Sequence, residues 1–184
     1  ASVIDALAFG GAASKDAAAG GAASANVITN TIDTAISDST VGAGVNTAGT
    51  ALTNANATVT LNSVSSSIIR ALAIGASGGS NLAISVSALG NAVANDVTAV
   101  ISGSTVRAGG DVVLSASDIA PTIIPSWMLS DEQQANLDEA LDGTPLEPEA
   151  NVLAIMVSVA GSGSVAVSVS LMGNVVTNQV VARI

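Results

Sequence analysis

The sequence predicts an all-β fold, a parallel β-helix or solenoid carrying one short helical insertion. Three observations lead there: a gapless internal repeat, a two-residue hydropathy period outside residues 119–150, and a composition unlike that of a compact enzyme core. Of the 184 residues, 49% are apolar but only 1% are aromatic, and 10% are charged, against about 25% charged in an average soluble domain. The chain has no His, Cys or Tyr, which removes His-assisted nucleophiles, cysteine chemistry and the usual zinc or iron sites together. A formal charge of -10 repels a phosphate backbone, so nucleic acid is excluded as a partner.

The repeat comes first. NVITNTIDTAISDSTV (26–41) aligns without gaps to NAVANDVTAVISGSTV (91–106), and NVVTNQVVARI (174–184) fits the first eleven positions of the same pattern. Upstream, LAISVSALGNAVAN (82–95) matches VAVSVSLMGNVVTN (165–178) at eight of fourteen positions. The copies begin at Asn26, Asn91 and Asn174. The second interval is longer than the first, so an insertion follows the second copy. Residues 119–150 are its place: they hold all four Pro (Pro121, Pro125, Pro145, Pro148), the single Trp127 and seven of the fourteen acidic residues. The organisation expected is therefore 1–118 as repeats, 119–150 as an acidic, Pro-containing insertion, and 151–184 as the continuation. With no initiator Met at Ala1, no basic leader and a stop inside an alternating stretch at Ile184, the expectation is an excerpt of a longer chain.

Within the repeats the period is two. Val165, Val167, Val169 and Leu171 alternate with Ala166, Ser168 and Ser170, and Val112, Leu114 and Ala116 with Val113, Ser115 and Ser117. Small and β-branched residues in this pattern argue for strands. Gly75 to Gly79, Gly109-Gly110 and Gly161 to Gly163 read as turns between them. Residues 150–182 carry no charge and exceed the roughly 20 residues of a membrane helix. The alternating Ser and the Gly161-Ser162-Gly163-Ser164 break speak against that reading, so no membrane span is expected here. Repeats of unequal length with few aromatics suit coils that contact only their neighbours, with small side chains filling a narrow interior.

Asn30, Asn95 and Asn178 fall on the inward phase, Asn95 in step with Val93, Val97, Ala99 and Ile101. Buried Asn needs partners, and an amide ladder at the coil repeat distance supplies them; a polar ligand site is the functional alternative. Asn26, Asn91 and Asn174, two of them directly after Gly90 and Gly173, read as turn residues.

In the insertion, Ser130-Asp131-Glu132-Gln133 has the form of a capping box, predicting a helix over about 131–142 closed by Gly143. Leu137, Ala140 and Leu141 form its apolar side, and Trp127, Leu137 and Leu141 make up a possible contact flap. Calcium has weak candidate ligands in Asp131, Glu132, Asp138, Glu139 and Asp142, but no Asp-x-Asp-x-Asp-Gly loop or Gly-Gly-x-Gly-x-Asp nonapeptide occurs. No other cofactor is indicated. The solenoid's acids (Asp5, Asp16, Asp33, Asp38, Asp96, Asp111, Asp118) are scattered, and only Arg107 and Asp111 approach each other in sequence, as a surface ion pair rather than a catalytic one. Lys15 lacks a Ser-x-x-Lys spacing, and Gly20-Gly21 lacks the Lys of a phosphate loop. No catalytic residue emerges, and the expectation is that the chain is not an enzyme.

The run VTAVISGSTVRAGGDVVLSAS (97–117), preceded by SVSALGNAVAN (85–95), resembles the repeats of very large bacterial exoproteins of the filamentous-haemagglutinin type, including leukotoxin-type filamentous adhesins. The phrase STV-x-AGGDV-x-LSA at 104–116 is its most specific part, and about two-thirds of the chain follows the pattern loosely. The first copy departs from it, with GAGVNTAGTALTNANATVTLNS at 42–63, and residues 119–150 lie outside it. The resemblance implies a right-handed parallel β-helix, which agrees with the general handedness of parallel crossovers. It further implies an extracellular or bacterial cell-surface location and attachment to cells. Expected partners are other cells, surface glycans or proteins, or neighbouring copies of the chain. A self-assembling filament unit and a carbohydrate-active or toxin β-helix module are the alternatives.

Overall fold

The computed structural model describes residues 1–123, 130–142 and 149–184. Alternation of small and β-branched residues produces four strands in sequence: β1 (Ser2–Ser14), β2 (Ala17–Ser37), β3 (Thr40–Ala43) and β4 (Val59–Ser65). The same four lengths then recur as β5 (Ser67–Gly79), β6 (Leu82–Ser102), β7 (Thr105–Ala108) and β8 (Val112–Asp118). After helix α1 (Asp131–Leu141) come β9 (Val152–Ser162) and β10 (Val165–Arg183). Each strand lies beside its counterparts, giving sheets ordered β1-β5-β9, β10-β6-β2, β3-β7 and β4-β8. The chain is thus mostly β with parallel sheets.

The register reproduces the intervals of the sequence repeat. Ser2 faces Ser67 and Thr40 faces Thr105, the same step along the chain as from Asn26 to Asn91. Ile69 faces Val152, the same step as from Asn91 to Asn174. Between β4 and β8 the step is shorter, with Val59 facing Val112, because the first copy spends residues 44–58 where the second turns through Gly109-Gly110. That longer loop was not legible in the sequence.

The chain divides into two compact units. One comprises Ala1–Ile28, Ser66–Val93 and Ala120–Val176; the other Thr29–Ser65, Ala94–Ile119 and Thr177–Ile184. In the first, Ile28, Ile69, Ala71, Leu89 and Val93 form the core, with Ile4, Ala6, Val152, Ala154 and Met156 packed on it. Its interior is otherwise small and polar: Ala73, Ser85 and Ser87 are fully buried. Ser158 Oγ donates to Ser85 Oγ at 3.0 Å and Ser87 Oγ to the Val157 carbonyl at 3.1 Å. The inner faces approach so closely that a Cβ on Gly10 would lie 1.5 Å from the Gly21 carbonyl oxygen, and one on Gly75 2.6 Å from Ser87 Oγ.

The second unit has a conventional aliphatic core of Leu61, Ala99 and Ile101, flanked by Ile36, Val59, Val106, Leu114 and Ala116. Its corner after β2 and β6 is reused in both copies. Asp38 and Gly103 take left-handed φ values of 48° and 57°, and the serines that follow, Ser39 and Ser104, donate to the carbonyls of Ser37 and Ser102 at 2.7 and 2.8 Å.

Several expectations are corrected. Asn26, Asn91 and Asn174 are not turn residues; they stand inside β2, β6 and β10, as do Gly90 and Gly173 in the latter two. Gly75 and Gly161 also lie within strands, and the bends fall at Ser80-Asn81 and Gly163-Ser164. Glycine here marks close approach or open surface more often than a break. The uncharged run 150–182 forms β9 and β10, and among the described residues no helix is long and apolar enough to cross a membrane.

Candidate functional site

Two side-chain ladders cross the repeats. In the first unit Asn26 Nδ2 donates to Asn91 Oδ1 at 2.9 Å, and Asn91 Nδ2 to Asn174 Oδ1 at 2.8 Å. In the second, Asn30 Nδ2 donates to Asn95 Oδ1 at 2.9 Å. There the series changes partner. Asn178 Oδ1 accepts from the Asn95 backbone N–H at 3.2 Å, and Asp118 accepts from Asn95 Nδ2 at 3.0 and 3.2 Å and from Asn178 Nδ2. Asp118 ends β8 opposite Ser65, which ends β4, so a carboxylate enters the second copy where the first has a hydroxyl. Asn91 and Asn95 are buried, and their bonds satisfy amides that water does not reach, whereas Asn174 and Asn178 at the end of each series are exposed. Sequence reasoning placed Asn30, Asn95 and Asn178 on one face; it missed the three-membered ladder and Asp118, whose signal was its position at the end of an alternating run.

The insertion is pinched at its base by an antiparallel bridge between Thr122 and Glu149 and by the Ala150 N–H bonded to the Pro121 carbonyl at 3.0 Å. The capping box forms reciprocally: Ser130 N–H donates to Gln133 Oε1 at 2.9 Å and Gln133 N–H to Ser130 Oγ at 3.3 Å. Acidic Asp131 and Glu132 occupy the first turn, where the helix dipole favours them. Of the calcium candidates, Asp131, Glu132, Glu139 and Asp142 are exposed. Among the described residues no three acidic side chains converge. Leu137, Asp138 and Leu141 lie on α1, their side chains outside the described set, and Trp127 lies outside the described residues altogether.

Arg107 does not pair with Asp111 as expected. Its Nη1 donates to the Gly49 carbonyl at 2.8 Å, beside a cavity of about 330 Å3 that the 44–58 loop forms over Thr40 and Gly42. The ion pair found among the described residues joins Arg70 to Asp5 on neighbouring strands, Nε to Oδ1 at 2.6 Å and Nη2 to Oδ2 at 3.1 Å.

The outer surfaces differ between the two units. In the second, Thr29, Thr31, Asp33 and Asp96 are exposed, a hydroxyl- and carboxylate-bearing sheet face suited to polar ligands. In the first, Leu7, Phe9, Val27, Val86, Ile155 and Leu171 are exposed, so large apolar side chains stand on the outer face as well as in the core of Ile28, Ile69, Leu89 and Val93. The arrangement offers faces and ladders; the hollow where charged groups meet, about 260 Å3 beside Asp5 and Arg70, holds a carboxylate and a guanidinium already bonded to each other. Comparison of the chain with protein-family models, with curated proteins and with solved structures finds no match.

Proposed function

We propose that the chain is a structural and adhesive segment of a large secreted or cell-surface protein, in which successive repeats wind as a right-handed parallel β-solenoid and carry contact surfaces along their length. The observation that supports this most is the pairing of each strand with its own counterpart one repeat on, β1, β3, β5, β7 and β9 at the two intervals of the sequence repeat. Stacked counterparts are what a coil-on-coil scaffold requires. Attachment then arises from many weak contacts along an array, whose avidity exceeds that of any one of them. The resemblance of residues 97–117 to filamentous adhesin repeats supports the location and the cellular partner.

The test is adhesion itself. Beads coated with the chain are expected to attach to cells or immobilised glycans above uncoated controls, with attachment competed by free chain. Replacement of the polar face through Thr29→Ala, Thr31→Ala and Asp33→Ala is expected to reduce it several-fold. Attachment equal to that of uncoated beads on every surface tried overturns the adhesive reading, and a cryo-EM map with β1, β5 and β9 on separate, unstacked layers overturns the solenoid.

A further inference from the structure

The first unit carries two apolar outer surfaces of opposite relief. On sheet β1-β5-β9 the outward rows are Leu7-Leu72-Ile155 and Phe9-Ile74-Val157, placed side by side by the strand register. Leu7 is 73% and Phe9 72% exposed. The large side chains of these rows stand out from the sheet as a ridge, although the Leu7-Leu72-Ile155 row also borders a hollow of about 260 Å3 beside the Asp5–Arg70 pair. On sheet β10-β6-β2 the Asn26–Asn91–Asn174 bonds fix the corresponding rows as Ala23-Ala88-Leu171 and Ala25-Gly90-Gly173. There the small residues leave a groove of about 660 Å3.

Two glycines in that groove clear space for no other described residue. Gly90 and Gly173 have no left-handed φ, and a Cβ on either meets nothing within 4 Å among the described residues. Glycine inside a strand is a net cost to folding. Recurrence of an uncompensated glycine at equivalent positions of two copies calls for something outside the unit that comes close to the backbone.

We propose that a second copy of this chain covers the groove, its Leu7/Phe9 ridge seated over Gly90 and Gly173, so that copies associate laterally, sheet face on sheet face. The proposal rests on the repeat-scaffold reading, because the ridge and groove advance one strand spacing with each repeat. A surface stepped at about 4.8 Å is matched by another sheet stacked with the same step. Large side chains on one face and missing ones on the other are complementary in size, and neither set of rows carries a charge, although the chain bears -10 overall. Lipid is the less fitting occupant. Membrane-facing strands are bordered by aromatic girdles, and this chain has no Tyr, one Phe and one Trp. Three strands by nine residues give a footprint of about 14 Å by 30 Å, or about 400 Å2. That is roughly half of what each partner buries in a standard stable interface, so the 184-residue chain associates weakly and longer arrays associate more strongly. Ridge and groove are different patches, so the contact is head-to-tail and leaves both ends of a dimer open to further copies.

Sedimentation velocity over a concentration series tests this with two variants of the full chain. Gly90→Val with Gly173→Val fills the groove; Leu7→Asn with Phe9→Asn blunts the ridge at highly exposed positions. Wild type is expected to sediment faster as concentration rises, without reaching a plateau at the dimer. Each variant alone is expected to remain monomeric, while an equimolar mixture forms a dimer and stops there, since each partner supplies the surface the other lacks. The valine variant should also melt a few degrees higher than wild type, which separates loss of association from loss of fold. A wild type that is β-rich by circular dichroism yet monomeric at every concentration overturns the proposal and leaves the scaffold reading standing. So does association that persists in either variant alone, or flotation with phosphatidylcholine vesicles by a chain that is monomeric without them. A wild type without β structure overturns both.

Discussion

Asn26 and Asn91 stand 65 residues apart and are joined side chain to side chain, the Nδ2 of the first donating to the Oδ1 of the second at 2.9 Å. Asn91 passes the pattern on to Asn174 at 2.8 Å. Asn91 is 4% exposed and uses both ends of its amide. Asn91→Ala therefore leaves a donor on one neighbour and an acceptor on the other without their partner, and is expected to cost about 2 kcal/mol of folding stability. Asn174 is exposed, so Asn174→Ala orphans one group, the Asn91 Nδ2 donor, where Asn91→Ala orphans two, and should cost less, about 1 kcal/mol. Urea unfolding of the two variants side by side checks the ladder, and equal losses would refute it.

The meeting of the two inner faces makes a second, sharper claim. At Gly10 an added methyl would fall 1.5 Å from the Gly21 carbonyl oxygen, which belongs to backbone and has no rotamer to yield. At Gly75 the nearest atoms are hydroxyls, Ser87 Oγ at 2.6 Å and Ser85 Oγ at 2.9 Å. Serines can turn, although Ser85 and Ser87 would forfeit their bonds to Ser158 Oγ and the Val157 carbonyl. Gly10→Ala is expected to cost about 3 kcal/mol or more, and Gly75→Ala about 1 to 2 kcal/mol. Thermal melts that rank the two the other way would refute the close approach of β1 and β2.

Much of this arrangement was legible in the residues. Self-alignment of 26–41 with 91–106, and of 82–95 with 165–178, supplied the intervals at which the strands pair, because stacked copies must place like on like. Ser130 and Gln133 announced the helix start because a capping box is local chemistry. The errors share one cause. Gly75 and Gly161 read as breaks, and Asn91 and Asn174, directly after Gly90 and Gly173, read as turns, since a sequence does not say whether a glycine bends the chain or merely clears space beside it. The alternation Val167, Val169, Leu171 against Ser168 and Ser170 likewise fixed two phases without saying which faces in. Hydrophobicity alone would bury the valines, whereas the Asn91–Asn174 bond puts Ser168 and Ser170 on the face of the ladder, and both phases of β10 are exposed.

Asp5 and Arg70 make a bidentate pair between register partners on β1 and β5. Arg70 is 21% and Asp5 64% exposed, and in such surroundings solvent screening leaves little of the Coulomb attraction. Asp5→Ala is expected to lower stability by less than about 1 kcal/mol at low salt, and the difference should vanish near 1 M NaCl, where the Debye length is about 3 Å. Denaturation at two salt concentrations measures this directly; a loss that is large and indifferent to salt would mean that the aspartate holds the edge of β1 by some other contact.

Ser65 and Asp118 occupy the same register position in successive copies but contribute with opposite sign. Ser65 is 1% exposed and its Oγ has no hydrogen-bond partner among the described residues. Asp118 takes amide hydrogens from both Asn95 and Asn178. A buried hydroxyl that bonds to nothing carries its desolvation cost uncompensated, so Ser65→Ala is expected to be neutral or to stabilise by up to about 1 kcal/mol. Asp118→Ala removes a charge-assisted acceptor from the buried Asn95 amide and should cost about 1 to 3 kcal/mol. Asp118→Asn keeps one acceptor oxygen and should fall between the two. Because Asp118 closes the Asn30–Asn95 series, Asp118→Ala should also speed amide hydrogen exchange at Asn95, whose backbone N–H is held by Asn178. Ser65→Ala should leave that rate unchanged, and acceleration by both variants alike would show that the position, rather than the carboxylate, holds the ladder.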